Sequence, residues 1–297
     1  MTDQNTPLVS VCIPVFNGEQ FIRQAIESVL AQTLTDWELV ILDNSSSDNT
    51  AGIVKTYSDP RVRLIVSDRN YGIEANWNKA LSEAKGRYIK VLPSDDYLLP
   101  DCLEEQVEVF NHPGNETVVL VSGGRNIVDQ SGNYLISRTF PGKDGFIKGR
   151  TAIKKLVRAG TNLLGEPAAI LFKHEIIEKA GLFDGSQIYV IDVDFWSRIL
   201  FLGDLYVIHK SVCAFRLSSG SCSVDIASRQ SRHFTVYLSK LFHTHRGLVS
   251  RFDLYHGILM CIILAFGRRF FYLIAVKKVT GEYDQGKNII SHASLLE

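Results

Sequence analysis

The chain has 297 residues, 45% of them hydrophobic and 22% charged. It is long enough for one large α/β domain with appendages and apolar enough to bury a substantial core, which excludes a disordered chain. Net charge is +0, which excludes a polycation built to grip nucleic acid, and no nucleic-acid partner is expected.

The charge is unevenly spread. Residues 1–110 hold 9 Lys+Arg and 17 Asp+Glu, whereas residues 226–297 hold 10 and 4. An acidic front suits cation binding, and a basic tail suits an anionic surface. The five cysteines show no Cys-x-x-Cys spacing and read as reduced, mostly buried thiols of a cytoplasmic protein. The N-terminus lacks the basic-then-apolar pattern of a signal peptide.

In chain order, Leu8 to Val15 reads as a buried strand, followed by a turn at Phe16-Asn17-Gly18. A helix over about 19–32 carries Phe21, Ile22, Ala25, Ile26, Val29 and Leu30 on one face. Glu38 to Leu42 is a second strand ending in Asp43. The polar loop after it leads to Asp48, an N-cap for a helix through Tyr57. A third strand spans 62–66. Asn70-Tyr71-Gly72 turns into a helix that Gly86 follows. Tyr88 to Leu92 is a fourth, buried strand, and Asp95-Asp96 lie just past its end. Pro100-Asp101 opens a helix to about Phe110, and Thr117 to Ser122 is a fifth strand. This alternation predicts a Rossmann-like, mostly parallel sheet flanked by helices.

The second half is less regular. Gln130 to Asn133 reads as a hairpin tip and 137–148 as a polar loop. A helix is expected over about 150–159, a strand over 167–172 and a helix over 173–180. Asp192 opens another helix to about Phe201. Two short strands follow near 205–208 and 211–216, and the chain is helical and basic from about 228.

Several residues read two ways. Phe16 is either core or an aromatic that stacks on a nucleobase. Asp43 is either a turn former or an acceptor for a pyrimidine N–H. Paired carboxylates at Asp95-Asp96 repel each other, a cost that a divalent cation removes; they also suit turn and cap chemistry. Asp192 is either a helix N-cap or a general base, with Asp194 as its rival. The first turn lacks Gly-x-Gly-x-x-Gly and no Walker lysine occurs, so neither a dinucleotide fold nor a P-loop is expected.

The ordered set Val-Ser-Val-Cys-Ile-Pro-Val-Phe-Asn-Gly, Trp37 to Asp48, Asn70-x-Gly72, Ser94-Asp95-Asp96, Gly165-Glu166-Pro167, Gly181-Leu182-Phe183-Asp184 and Asp192 to Arg198 resembles family 2 glycosyltransferases over roughly residues 8–220. The resemblance implies a GT-A fold, a nucleoside-diphosphate sugar donor, Mn²⁺ or Mg²⁺ as cofactor, and an inverting transfer to a saccharide or lipid-linked saccharide acceptor in polysaccharide synthesis. It implies donor contacts at Pro14, Phe16, Asn17, Asp43, Asn70 and Asp95, with uridine or thymidine diphosphate favoured through Asp43. Asp95 and Asp96 match the DXD element, with Asp96 the expected metal ligand. Asp192 matches the general base, and Arg216 a basic residue near the diphosphate. Pro93, Asn44 and Ser218 stand where many members carry an acid, a second Asp and a His, and Ile191 replaces a common Glu.

The expected organisation is a catalytic domain over 1–225 and a basic amphipathic helical extension over 226–297. In the catalytic domain, 1–122 form the nucleotide-sugar half and 123–225 the acceptor half. In the extension, two arginines, Arg268 and Arg269, interrupt an apolar run. Residues 252–280 therefore read as a helix lying at the inner face of the plasma membrane, or as a packed helical pair or homodimer interface. Two other functions remain. A nucleotidyltransferase would need a glycine-rich, Arg-bearing phosphate loop after strand one, which is missing. A family member that binds nucleotide-sugar without turnover is the other.

Overall fold

The computed structural model describes residues 6–217, 230–245 and 247–281, with side chains as far as Gly267. Its ten strands are β1 (Val9–Val15), β2 (Trp37–Asp43), β3 (Val62–Val66), β4 (Tyr88–Val91), β5 (Tyr97–Leu98), β6 (Val118–Val128), β7 (Tyr134–Arg138), β8 (Gly145–Ile147), β9 (Ile170–Lys173) and β10 (Asp204–Arg216). They form one sheet in the order β3-β2-β1-β4-β9-β6-β10-β5, with β7 beside β6 and β8 beside β10. Strands β1 to β4 pair in parallel, as do β6 and β10. Strand β9 runs antiparallel between β4 and β6, so the sheet is mixed and parallel chiefly in its first half.

The helices are α1 (Ile22–Leu30), α2 (Thr50–Val54), α3 (Gly72–Glu83), α4 (Cys102–Asn111), α5 (Gly149–Ala159), α6 (Ile177–Ala180), α7 (Ile191–Leu200), α8 (Gln230–Thr244) and α9 (Arg251–Gly281). They cover both faces of the sheet. One face packs Ile22, Ala25, Ile26 and Val29 of α1 with Leu103 and Val107 of α4 over β1 and β2. The other packs α3, α5 and α7. Strands β1 and β4 are buried along their whole length, as expected of strands covered on both sides, although β4 includes Lys90.

Several elements differ from the sequence expectation: strand β6 runs on to Val128 instead of ending at Ser122, and the helix expected over 173–180 is only Ile177–Ala180. Strand β10 is one strand with register shifts near Ile208 and Ser211; the polar pair His209-Lys210 marks the bulge that divides its apolar pattern. Residues 145–147, expected in a loop, pair with β10 as β8. Helix α2 spans only Thr50–Val54 and its N-cap is Asn49, not the expected Asp48, whose Oδ1 accepts the N–H of Thr50 at 3.0 Å from one residue further out.

The tail does not stand apart. Phe234, Tyr237, Leu238 and Leu241 of α8 and Leu254 and Cys261 of α9 share the core beneath α5 and α7. Helix α9 approaches α5 so closely that a Cβ on Gly257 would lie 2.1 Å from the carbonyl oxygen of Val157. The expected boundary at 225/226 and the Ser218 position lie outside the described residues.

Candidate active site

The carboxyl ends of β1, β2 and β4 open into two adjoining cavities, where open α/β sheets bind ligands. The first, of about 390 Å³, is lined by Phe16, Asn17, Asn44, Asn70, Gln130 and others. The second, of about 240 Å³, is lined by Pro93, Glu166, Ile188, Tyr189, Asp192 and Phe215 among others. Pro14, Ile73, Trp77, Ser94 and Asp95 line both, so Asp95 stands on the wall between them. A larger cleft of about 460 Å³, bordered by Lys85, Arg87, Lys173 and His174, lies at the opposite end of β4 and holds none of the expected site residues.

The first cavity is shaped by the loops after β1 and β2. Asn17 takes a left-handed backbone, φ 53°. Its N–H donates to Ser46 Oγ at 2.8 Å, and its Oδ1 accepts the N–H of Ser47 at 2.8 Å. Gly18 allows a tight approach, since a Cβ there would lie 2.4 Å from Val15 Cγ2. These restraints leave the Phe16 ring 48% exposed at the cavity mouth. Asn44 Nδ2 donates to Asn70 Oδ1 at 2.8 Å, and Asn44 Oδ1 accepts the N–H of Tyr71 at 3.0 Å. Asn44 thus holds the Asn70 turn.

Asp43, an expected donor contact, is 1% exposed and lines neither cavity. Its Oδ1 accepts from the backbone N–H of Ser46 at 2.9 Å and from Ser46 Oγ at 2.5 Å. Its Oδ2 has no hydrogen-bond partner among the described residues.

The two acids of the central loop differ. Asp95 faces the cavities, whereas Asp96 is 1% exposed. Asp96 Oδ1 accepts the backbone N–H of Arg216 at 2.9 Å, and its Oδ2 has no partner among the described residues. Burial first, and the neighbouring Asp95 charge second, push the Asp96 carboxyl well above the usual carboxylate range. The Arg216 guanidinium points at protein groups. Nε donates to the Asp95 carbonyl at 2.9 Å, one terminal nitrogen to the Gln130 carbonyl at 2.9 Å, and the other to Gln24 Oε1 at 2.5 Å. It also lies 4.7 Å from the Phe21 ring centroid.

In the second cavity, Asp192 keeps a partly exposed edge at the start of α7. Its Oδ2 accepts from Asn162 Nδ2 at 3.3 Å. Burial pushes its carboxyl up to about 7; the Val193 N–H pulls the other way, and the Glu166 charge adds to the rise. Asp194 is spoken for: Oδ2 meets Arg198 Nε at 2.9 Å, and Oδ1 lies 3.6 Å from Lys240 Nζ. Helix α7 is held by rings, with Phe183 4.3 Å from Phe195 and Phe172 5.4 Å from Trp196. Helix α8 adds a hydroxyl contact of 2.5 Å between Ser197 and Tyr237.

Two residues were not singled out as site residues by the sequence reading. Glu166 lines the second cavity and forms an ion pair with Arg125, which is 3% exposed within β6. The expected strand ended at Ser122, so Arg125 lay outside it; only the extension of β6 to Val128 buries this cation, which then demands a counter-charge.

A divalent cation fits this acidic loop by one test: Asp96 carries an unpartnered, buried oxygen next to a second carboxylate. Among the described residues, no three His, Cys, Asp or Glu side chains converge as a ready-made site.

The mixed sheet flanked by helices is a fold of the GT-A type. Residues 10–181 match the model of glycosyl transferase family 2, and the chain belongs to that family. An uncharacterized glycosyltransferase of Rickettsia typhi is 31% identical over 220 residues, covering 72% of this chain and 66% of its own. A putative teichuronic acid biosynthesis glycosyltransferase, TuaG of Bacillus subtilis, is 40% identical over 104 residues, 34% of this chain and 41% of its own. The chain spans a little under two thirds of the length of the first curated relatives it matches. Among solved structures, S. aureus TarS 1-349 in complex with UDP-GlcNAc superposes with a TM-score of 0.63 at 16% identity, covering 79% of this chain and 66% of that one. The mannosyltransferase PcManGT of Pyrobaculum calidifontis, in complex with GDP-Man and Mn²⁺, gives 0.55 at 18% identity, covering 95% and 82%. At such identities these two show the fold alone.

Proposed function

We propose that the protein transfers one sugar from a nucleoside-diphosphate sugar to a saccharide or lipid-linked saccharide acceptor during polysaccharide assembly, with inversion at the anomeric carbon. The observation that carries this reading is the pair of adjoining cavities with Asp95 on their common wall and Asp192 in the second. The first takes the nucleoside, with Phe16 against the base and the unpartnered Asp43 Oδ2 toward a pyrimidine N–H. Uridine or thymidine diphosphate is therefore the favoured leaving group.

Asp95 and Asp96 are the residues that would hold Mn²⁺ or Mg²⁺, which when bound neutralises the charge growing on the departing diphosphate. The cavity-facing Asp95 is the contact nearest the donor. Arg216 supports the loop from behind, which makes it a positioning residue in this account.

The second cavity takes the acceptor. Trp77, Tyr189 and Phe215 offer apolar faces, and Asp192 is poised to take the proton of the attacking hydroxyl. As that proton moves to Asp192, the acceptor oxygen bonds to the anomeric carbon and the bond to the diphosphate oxygen breaks, its electron pair leaving with the diphosphate. Attack from the acceptor cavity, opposite the leaving group, inverts the centre. Calorimetric titration with uridine diphosphate and guanosine diphosphate, each with and without Mn²⁺, tests the donor half. The reading predicts tighter uridine diphosphate binding that Mn²⁺ strengthens. Absence of binding by either would contradict it.

A further inference from the structure

Helix α9 is apolar on two opposite faces. One face buries Leu254, Gly257 and Cys261 against α5 and α8. The other carries Phe252, Tyr255, Leu259, Ile262, Ile263 and Phe266 at spacings of three and four residues, all exposed, with Phe252 at 71% and Phe266 at 68%. A stripe with this periodicity lies along one side of the helix, and at 1.5 Å per residue it runs for about 20 Å. A helix apolar all round is stable only where its second face is also taken out of water.

The sequence of this segment is basic. From Arg251 to Lys278 the sequence has five basic residues, Arg251, Arg268, Arg269, Lys277 and Lys278, and a single acid, Asp253. Asp253 is fully buried and paired with Arg158, with Lys154 at 3.6 Å, so it offers nothing to an incoming surface. We infer that the exposed face of α9 docks on an anionic lipid surface, with the helix lying in the plane of the headgroups. Basic residues are attracted to such a surface, and an apolar face in a basic segment is the composition of interfacial helices. A second copy of the chain fits less well, because the segment holds five basic residues and one acid, itself buried, and so brings no counter-charge of its own. The helix lies on the bilayer rather than spanning it: Arg268-Arg269 break the apolar run, and among the described residues no helix is long and apolar enough to cross a membrane.

The test is co-sedimentation of the full chain with vesicles of phosphatidylcholine alone and of phosphatidylcholine mixed with phosphatidylglycerol. The wild type is expected to pellet with the mixed vesicles only, and less at high salt. Replacing both Leu259→Gln and Ile263→Gln should lower partitioning by about tenfold or more, since two branched side chains no longer enter the interface. Because both positions are exposed, the melting temperature should stay that of the wild type. Equal binding to both vesicle types, no binding to either, or unchanged binding of the double variant would overturn the inference. So would light scattering that shows a dimer dissolved by the two substitutions, which would assign the face to a second copy.

Discussion

The backbone N–H of Arg216 donates to Asp96 Oδ1 at 2.9 Å across 120 residues of chain. This bond fixes the acidic loop after β4 against the end of β10, and the Arg216 guanidinium locks the same loop through the Asp95 carbonyl. One acid of the pair is thereby held inside while its neighbour faces the cavities.

The two aspartates should therefore separate in mutagenesis. Asp95→Ala is expected to abolish transfer with an unchanged melting temperature. Asp96→Ala strips the acceptor from a buried N–H, a cost of about 1–3 kcal/mol, so it should lower both melting temperature and transfer. Differential scanning calorimetry beside a transfer assay checks this. A destabilised Asp95→Ala with a fully stable Asp96→Ala would reverse the assignment.

Base selection should reside in Asp43. Asp43→Asn keeps the Ser46 contacts through its remaining oxygen but replaces an acceptor with a donor. Uridine diphosphate affinity should fall by roughly tenfold, the cost of about one hydrogen bond to a charged group. Calorimetry showing unchanged affinity would remove Asp43 from the nucleoside site.

The acid limb of the pH profile should report Asp192. Its carboxyl is held up to about 7 by burial, and a general base works only when deprotonated. The rate constant kcat/KM should therefore fall as pH drops below about 7, not near the ordinary Asp value of about 4. The sign for stability is opposite. The folded state keeps this proton in a window where the unfolded chain has lost it, so the Asp192 contribution favours folding at low pH and is lost as pH rises toward 7. Asp192→Asn should flatten that decline.

Glu166 bears on the same titration. Its charge raises Asp192, and Arg125 lowers it. Glu166→Gln should shift the acid limb to lower pH, because Arg125 then acts alone. Since Arg125 is buried, losing its partner should cost stability as well, about 3–5 kcal/mol for a broken buried pair. A profile that stays in place would disconnect Glu166 from the base.

What the sequence made legible follows from locality. Strands β1, β2 and β4 are short apolar runs bounded by turn residues, and the loops after them carry Phe16, Asn17, Asp43 and Asp95 within a few residues of each strand end. The long-range partners were not legible. The resemblance implies Arg216 near the diphosphate, and its guanidinium is spent on Gln24, Gln130 and Asp95, partners that lie far off in sequence. Lys90 and Arg125 show the same limit. Lys90 interrupts an apolar strand yet is fully buried, its Nζ donating to the carbonyls of Ala168 at 2.8 Å and Ile170 at 3.1 Å. Periodicity marks such a residue as anomalous, but only the fold names its partner. The tail was legible in its composition and not in its packing, because α8 and half of α9 meet the core through contacts that period alone cannot assign.

The central claim is that Asp192 takes the acceptor proton, and single-turnover transfer by Asp192→Asn, measured beside donor affinity, tests it most directly. Asn keeps the side-chain shape but takes no proton, so turnover should fall by about 10²–10⁴-fold, while diphosphate affinity, set at Phe16, Asp43 and Asp95, stays within about threefold. Asp194→Asn, whose parent carboxylate is tied to Arg198 and Lys240, should lose far less turnover. Wild-type turnover by Asp192→Asn, with Asp194→Asn inactive or equally active, would contradict the account.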